Sequence, residues 1–261
     1  MSELLSAIIL AIIQGVTEWL PVSSSGHLII AEKILSYHSD LIFNVALHFG
    51  TLMSVFVYFG KEITDIFQDL LKFKFHTEDG KLGVMLIIAT TPAGIIGVIF
   101  KNTFESIYTN LAIVALGFGI TGIILIITSL NIKIKEAKLN TKNSLMIGLA
   151  QVLSIFPGIS RSGTTISAGI LSGLNEKTAL KFSFLMSIPI IFGANIITIG
   201  NQTLPPELIW ATLVSFLIGL LFLHLIYKHI LTSRKNLRLF GIYALLLSLL
   251  IGVFIINKVI P

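Results

Sequence analysis

The chain has 261 residues, of which 54% are hydrophobic and only 12% charged, against roughly 25% charged in an ordinary soluble domain. So few charges cannot cover a water-exposed surface, which excludes a soluble protein and leaves an integral membrane one. The net charge of +5 is carried by short loops between apolar runs, a distribution that belongs to membrane topology and excludes a nucleic-acid footprint. The lack of cysteine excludes disulfides, thiolate metal sites and a cysteine nucleophile.

The first apolar region, residues 2–36, begins with Glu3 and no Lys or Arg, so it lacks the basic start of a cleaved signal peptide. Its middle is interrupted by Glu18-Trp-Leu-Pro-Val-Ser-Ser-Ser-Gly-His27. The half-segments on either side are too short to cross a hydrocarbon layer of about 30 Å, and the region is expected to form a re-entrant helical hairpin. Spanning segments follow at 41–60, 82–100 and 107–130. Between the first two, Ile63, Ile66, Phe67, Leu70 and Leu71 recur at helical spacing among Lys and Asp, which predicts an amphipathic helix lying at the membrane surface. A second broken region, 142–175, carries Phe156-Pro-Gly-Ile-Ser-Arg-Ser-Gly-Thr-Thr165 and is expected to form a second re-entrant hairpin. Segments 179–200, 207–227 and 239–257 complete the spans.

The two broken regions resemble each other. A shift of 137 positions aligns Gln14 with Gln151, Ser23 with Ser160, Ser25 with Ser162 and Gly26 with Gly163. The expected fold is therefore a single all-α membrane domain over 1–261, with six transmembrane helices and two re-entrant hairpins. Repeat 1 covers about 1–131 and repeat 2 about 141–261. Three spans per repeat is an odd number, so the second repeat enters the membrane inverted. The basic residues test that count: one face receives Lys33, Lys101 and Lys258, while the loops around 61–81, 133–142, 177–181 and 228–238 place 14 on the other. By the positive-inside rule the second face is cytoplasmic and the termini lie outside.

Among the 18 Lys and Arg and 13 Asp and Glu, Glu18 and Arg161 alone fall away from the ends of the apolar segments. Either costs about 2.5–3.5 kcal/mol at bilayer depth on insertion scales, so each needs a partner or a wet cavity. One sits in each polar interruption, and they read either as a salt bridge pinning the hairpins or as an acid/base beside an anion-binding cation. Ser23–Ser25 and Ser160–Ser162 stand where a helix starts and can cap it. Two helix N-termini converging with Arg161 suit an anion, phosphate above all. Gly26, Gly158 and Gly163 allow the backbone close to it, and arginine can grip phosphate in a bidentate way. Helical spacing places Gln14 with Glu18, and Ser24 with His27, giving a carboxylate, a hydroxyl and an imidazole suited to phosphoryl transfer. His48, before Phe49-Gly50-Thr51 in mid-span, reads as readily as a packing residue.

The strings Gln14-Gly-Val-Thr-Glu18, Pro21-Val-Ser-Ser-Ser-Gly-His27 and Pro157-Gly-Ile-Ser-Arg-Ser-Gly-Thr-Thr165 closely resemble the bacterial undecaprenyl-diphosphatase, or bacitracin-resistance, family. Phe43 with Gly50-Thr51 and the Phe182-Ser-Phe-Leu stretch extend the resemblance over the whole chain. It implies hydrolysis of a polyprenyl diphosphate lipid to the monophosphate carrier of peptidoglycan assembly, at a site open to the outer face of the cytoplasmic membrane. It also implies help from a divalent cation, Mg²⁺ or Ca²⁺, and competition from bacitracin, which sequesters the lipid. Glu18, Ser24, His27 and Arg161 are the central group implied, with Ser24, His27 or water as the attacking species. Ser160 and Thr165 support the phosphate, within a set comprising Ser23, Ser25, Gly26, Ser160, Ser162, Gly163, Thr164 and Thr165. Gln14 and Glu18 are the candidate metal contacts. A transporter of polyprenyl phosphate lipid using the same anion site is the alternative, and Gly117, Gly119 and Gly122 leave a homodimer open.

Overall fold

A computed structural model describes residues 3–37, 39–130, 133–199 and 206–257, and omits the side chains of residues 41, 197–199 and 206–207. Lys258, counted above with one membrane face, lies outside the described residues. The described residues form helices and the turns and loops that join them, with no strand among them.

The first broken region is α1 (Glu3–Thr17) and α2 (Ser24–Leu35), folded against each other. Next, α3 (Leu41–Tyr58) bends by 85° at Phe59 into α4 (Gly60–Leu71). It is followed by α5 (Glu78–Ile99), the short α6 (Lys101–Ile107) and α7 (Leu111–Ser129). The second broken region is α8 (Thr141–Leu153) and α9 (Arg161–Leu171), again in mutual contact. The chain ends with α10 (Glu176–Ile199), α11 (Pro206–Leu225) and α12 (Leu237–Ile256).

Five of the expected spans are helices long and apolar enough to cross a membrane, and α3 reaches that standard together with α4. The chain is thus a multi-pass membrane protein with five or six crossing helices. At 1.5 Å per residue, α1 and α2, of 15 and 12 residues, are about 22 and 18 Å long, short of a hydrocarbon layer. The same holds for α8 and α9, of 13 and 11 residues.

Two boundaries depart from the expected segments. The 41–60 span ends at the bend, because α4 turns its Ile63, Ile66 and Leu70 face onto Leu82 and Leu86 of α5. Phe67 and Leu71 remain exposed on the other side, so the amphipathic helix exists and its packed face holds the bend. The 107–130 span begins only at Leu111, where the Asn110 side chain accepts from the N–H groups of Ala112 and Ile113 and caps α7.

Close helix pairs build the core: α7 with α12, α3 with α11, α1 with α11 and α5 with α8. Gly117 packs on Pro157 and Gly158, Gly119 on Ser248 and Gly122 on Gly241 and Leu245. These small residues are used inside the chain and lend a homodimer no support. Large apolar side chains such as Ile87, Ile95, Leu116, Ile123, Leu217, Leu246 and Leu249 are exposed around the outside, as lipid-facing surface requires. At one end, Lys181 pairs with Glu62 at 3.3 Å, the Arg234 N–H donates to Glu176 and the Ala137 N–H donates to the Gly173 carbonyl.

The second interruption is seated by Gly158, whose φ of 86° lies in the left-handed region. A Cβ there would also run into the Val114 carbonyl of α7. Replacing Gly158 by Ala is expected to cost about 1–3 kcal/mol in backbone strain alone. The expected outcome is a clearly lower midpoint in thermal unfolding of the purified protein in detergent; an unchanged midpoint would contradict this seating.

Candidate active site

Proline and glycine break the helices where Ser side chains can restart them. Ser23 Oγ accepts from the Gly26 N–H at 3.3 Å and lies 3.2 Å from Ser25 Oγ. In the other half, Ser160 Oγ accepts from the Gly163 N–H at 3.0 Å and lies 3.2 Å from Ser162 Oγ. The same cap thus recurs at positions aligned by the repeat. Each cap satisfies one N–H of its helix, while the other first-turn N–H groups have no acceptor within the helix.

The two interruptions meet. Ser162 Oγ donates to the Leu20 carbonyl at 3.0 Å. A Cβ on Gly26 would stand 2.6 Å from the Phe118 ring and 3.1 Å from Gly158 Cα, so only glycine lets the start of α2 come this near. Thr121 of α7 joins from the side, donating to the Gly158 carbonyl and accepting from the Ser160 N–H.

At this junction Arg161 Nη2 donates to Glu18 Oε1 at 2.9 Å, with the two side chains only 13% and 6% exposed. Glu18 Oε2 accepts from Ser24 Oγ at 2.6 Å and from Gln14 Nε2 at 3.0 Å. Arg161 Nη1 donates to the Ser183 carbonyl, and its guanidinium lies 5.7 Å from the centre of the buried Trp19 ring. A guanidinium has five N–H donors, so some remain for an anion. His48 Nε2 stands 3.6 Å from Glu18 Oε2, while its Nδ1 lies 2.8 Å from the Asn44 carbonyl. A carbonyl only accepts, so Nδ1 carries the hydrogen and Nε2 is the ring nitrogen that faces Glu18.

The structure brings Gln14, Glu18, Ser24 and Arg161 together and leaves His27 facing elsewhere. The ring of His27 is 2.7 Å from the Ser23 carbonyl through Nδ1 and 2.7 Å from the Tyr243 hydroxyl through Nε2. Ser162, Thr164 and Thr165 spend their hydrogens on protein oxygens: Leu20 O for Ser162, Ser160 O for Thr164 and Arg161 O for Thr165. Thr165 also meets Ser183 Oγ at 2.7 Å. Sequence reasoning missed Thr51, which accepts from Gln14 at 3.4 Å, and Ser183 and Trp19 around the guanidinium. The polar pair His48 and Thr51 in an apolar span was the available signal for the α3 contribution.

Comparison with known proteins gives one family. The profile described as bacitracin resistance protein BacA matches residues 7–250. The undecaprenyl-diphosphatase of Thermosipho melanesiensis is 41% identical over 246 residues, covering 93% of this chain and 96% of its own length. That of Methanococcus vannielii is 35% identical, over 95% of this chain and 99% of its own length. The undecaprenyl-diphosphatase 1 of Pseudoalteromonas translucida is 38% identical, over 97% and 99% respectively.

Removing one partner of a buried ion pair leaves the other unpaired, at a cost of about 3–5 kcal/mol, whereas removing both can be nearly neutral. Arg161→Met is therefore expected to destabilise the protein strongly, and Glu18→Gln with Arg161→Met to recover most of the loss. Unfolding midpoints in detergent read this directly; a double variant weaker than either single one would contradict a direct pair.

Proposed function

The chain belongs to the bacitracin resistance protein family, and on that premise we propose that it hydrolyses undecaprenyl diphosphate to undecaprenyl phosphate and inorganic phosphate. The product is the lipid carrier of cell-wall synthesis, and the protein recycles it. One observation carries the reading of the site: the Ser24 hydroxyl donates to Glu18 at 2.6 Å while Arg161 stands on the other oxygen of the same carboxylate. This is a nucleophile with its base beside an anion clamp.

In the proposed reaction Ser24 Oγ attacks the terminal phosphorus and its proton passes to Glu18 Oε2. The bond from phosphorus to the bridging oxygen breaks, and the bridging oxygen leaves with undecaprenyl phosphate. Water then displaces the phosphate from Ser24 with Glu18 reversing its role. Arg161 and the unsatisfied first-turn N–H groups of α2 and α9 hold the negative phosphoryl oxygens, the electrostatic work that dominates such transfers. Ser23, Ser160 and Ser162 act as caps and braces, and Thr164 and Thr165 hold Arg161 and its turn in place. His27 supports the turn at Ser23. Transport of the lipid would use the same anion site and has no need of a hydroxyl paired with a carboxylate.

A divalent cation fits the donor set. Gln14 Oε1 is buried without a protein partner, next to the Glu18 carboxylate, and Mg²⁺ commonly takes one or two carboxylates together with substrate phosphates. Glu18 and Gln14 would hold it. Bound there, Mg²⁺ or Ca²⁺ supplies charge neutralisation for the diphosphate.

The two interruptions act as tips of re-entrant hairpins in an inverted repeat. Exchange of the halves maps the packing of α1 on α11 onto that of α8 on α5, and α7 with α12 onto itself. The contacts Lys181–Glu62, Arg234–Glu176 and Ala137–Gly173 gather the basic loops at one end, which supports a single cytoplasmic face. The protein then sits in the cytoplasmic membrane with its catalytic opening outward, where bacitracin competes by sequestering the lipid diphosphate.

Phosphate release from a short-chain prenyl diphosphate tests the reading. Glu18→Ala, Ser24→Ala and Arg161→Ala are each expected to lose roughly 10²-fold or more in turnover. A chelator should lower wild-type turnover and added Mg²⁺ or Ca²⁺ restore it. Near-normal turnover in folded Glu18 and Ser24 variants would sink the assignment.

A further inference from the structure

Ser23 precedes the hydroxyl that attacks phosphorus, and its backbone is held at φ 68°, ψ 95°, a left-handed conformation that L side chains disfavour. Its repeat mate Ser160 carries the same cap with φ −73°, ψ 119°, ordinary extended backbone. The strain belongs only to the half that presents Ser24, so something must hold it there.

The bond that braces each turn is also repeated. Thr164 Oγ1 donates to the Ser160 carbonyl at 2.9 Å, and at the aligned position His27 Nδ1 stands 2.7 Å from the Ser23 carbonyl. A threonine therefore suffices to brace a carbonyl. What histidine adds is a second nitrogen, and that nitrogen reaches the Tyr243 hydroxyl of α12 at 2.7 Å. The two rings are parallel within 6° at 5.7 Å, and Phe118 meets the histidine edge-on at 5.2 Å. Because Nδ1 faces a carbonyl it carries the hydrogen, so Nε2 of the neutral ring accepts and Tyr243 donates. Tyr243 itself is 45% exposed, on a helix whose other contacts are nearly all apolar, so its packing alone does not call for a hydroxyl.

We propose that Tyr243 is a positioning residue of the reaction: its hydroxyl fixes the tautomer and orientation of His27, which holds the strained Ser23 turn and so aims Ser24. The proposal rests on the reading of Ser24 as the attacking group. It gives Nε2 of His27 a fixed partner away from the phosphate, and makes α12 part of the catalytic apparatus although none of its side chains touches Glu18 or Arg161 among the described contacts.

The test uses the purified full chain in detergent with a short-chain prenyl diphosphate. Tyr243→Phe keeps the ring and removes the hydroxyl. It should lower kcat about tenfold, the order expected for one lost hydrogen bond at a positioned group, with KM within about twofold and the unfolding midpoint retained. His27→Thr copies the other half, keeping the brace and cutting the link, and should lower kcat similarly. Because Tyr243 acts through His27, the double variant should be no slower than His27→Thr alone. A Tyr243→Phe protein with wild-type kcat overturns the proposal, as do losses that multiply in the double variant, or a loss that follows a fallen unfolding midpoint. A wild-type protein that releases no phosphate overturns the reading of the reaction itself, and is recognised before any substitution is made.

Discussion

The contact between Glu18 and Arg161 joins side chains 143 positions apart in sequence, one from each half of the chain. In a protein surrounded by lipid neither charge has bulk water to fall back on, and an unpaired charge at depth is costly. The polar atoms nearby are arranged around that constraint. Gln14 and Ser24 donate to the carboxylate, the Ser183 carbonyl takes a guanidinium N–H, and Trp19 offers its ring face. The pair also holds the two helix interruptions against each other, and with them the starts of α2 and α9. In the proposed reaction a diphosphate entering there would compete with Glu18 for Arg161, loosening the pair and freeing the carboxylate to accept a proton from Ser24.

The two halves carry matching helix caps and different side chains where they meet. Their caps coincide at Ser23 and Ser160, Gly26 and Gly163. At the positions that differ, Glu18 aligns with Ile155 and Ser24 with Arg161. One half therefore supplies the carboxylate and hydroxyl, and the other supplies the cation. Among the described residues, non-glycine positive φ falls only in the first.

Much of this was legible in the sequence because the relevant forces are local or compositional. Hydropathy located the five or six crossing helices, Pro, Gly and Ser located the interruptions, and the scarcity of charge singled out Glu18 and Arg161. What escaped depends on packing between distant segments. Gly50 seats α3 on α11, where a Cβ would overlap the Thr212 carbonyl, and another face of α3 carries His48 and Thr51 to Glu18 and Gln14. Helical spacing placed His27 one turn from Ser24. The direction of its ring is set by Tyr243, 216 positions away. The end of the third segment at Phe59 depends on how α4 docks on α5, and no composition window contains that information.

The claim that most depends on these contacts is that two opposed interruptions form one anion site between Ser24 and Arg161. A structure determined with a non-hydrolysable prenyl diphosphonate would test it most directly. The terminal phosphonate is expected within hydrogen-bonding distance of Arg161 and beside Ser24 Oγ, at the starts of α2 and α9, with Glu18 no longer paired with Arg161. A diphosphonate bound elsewhere, with the Glu18–Arg161 pair intact, would contradict it.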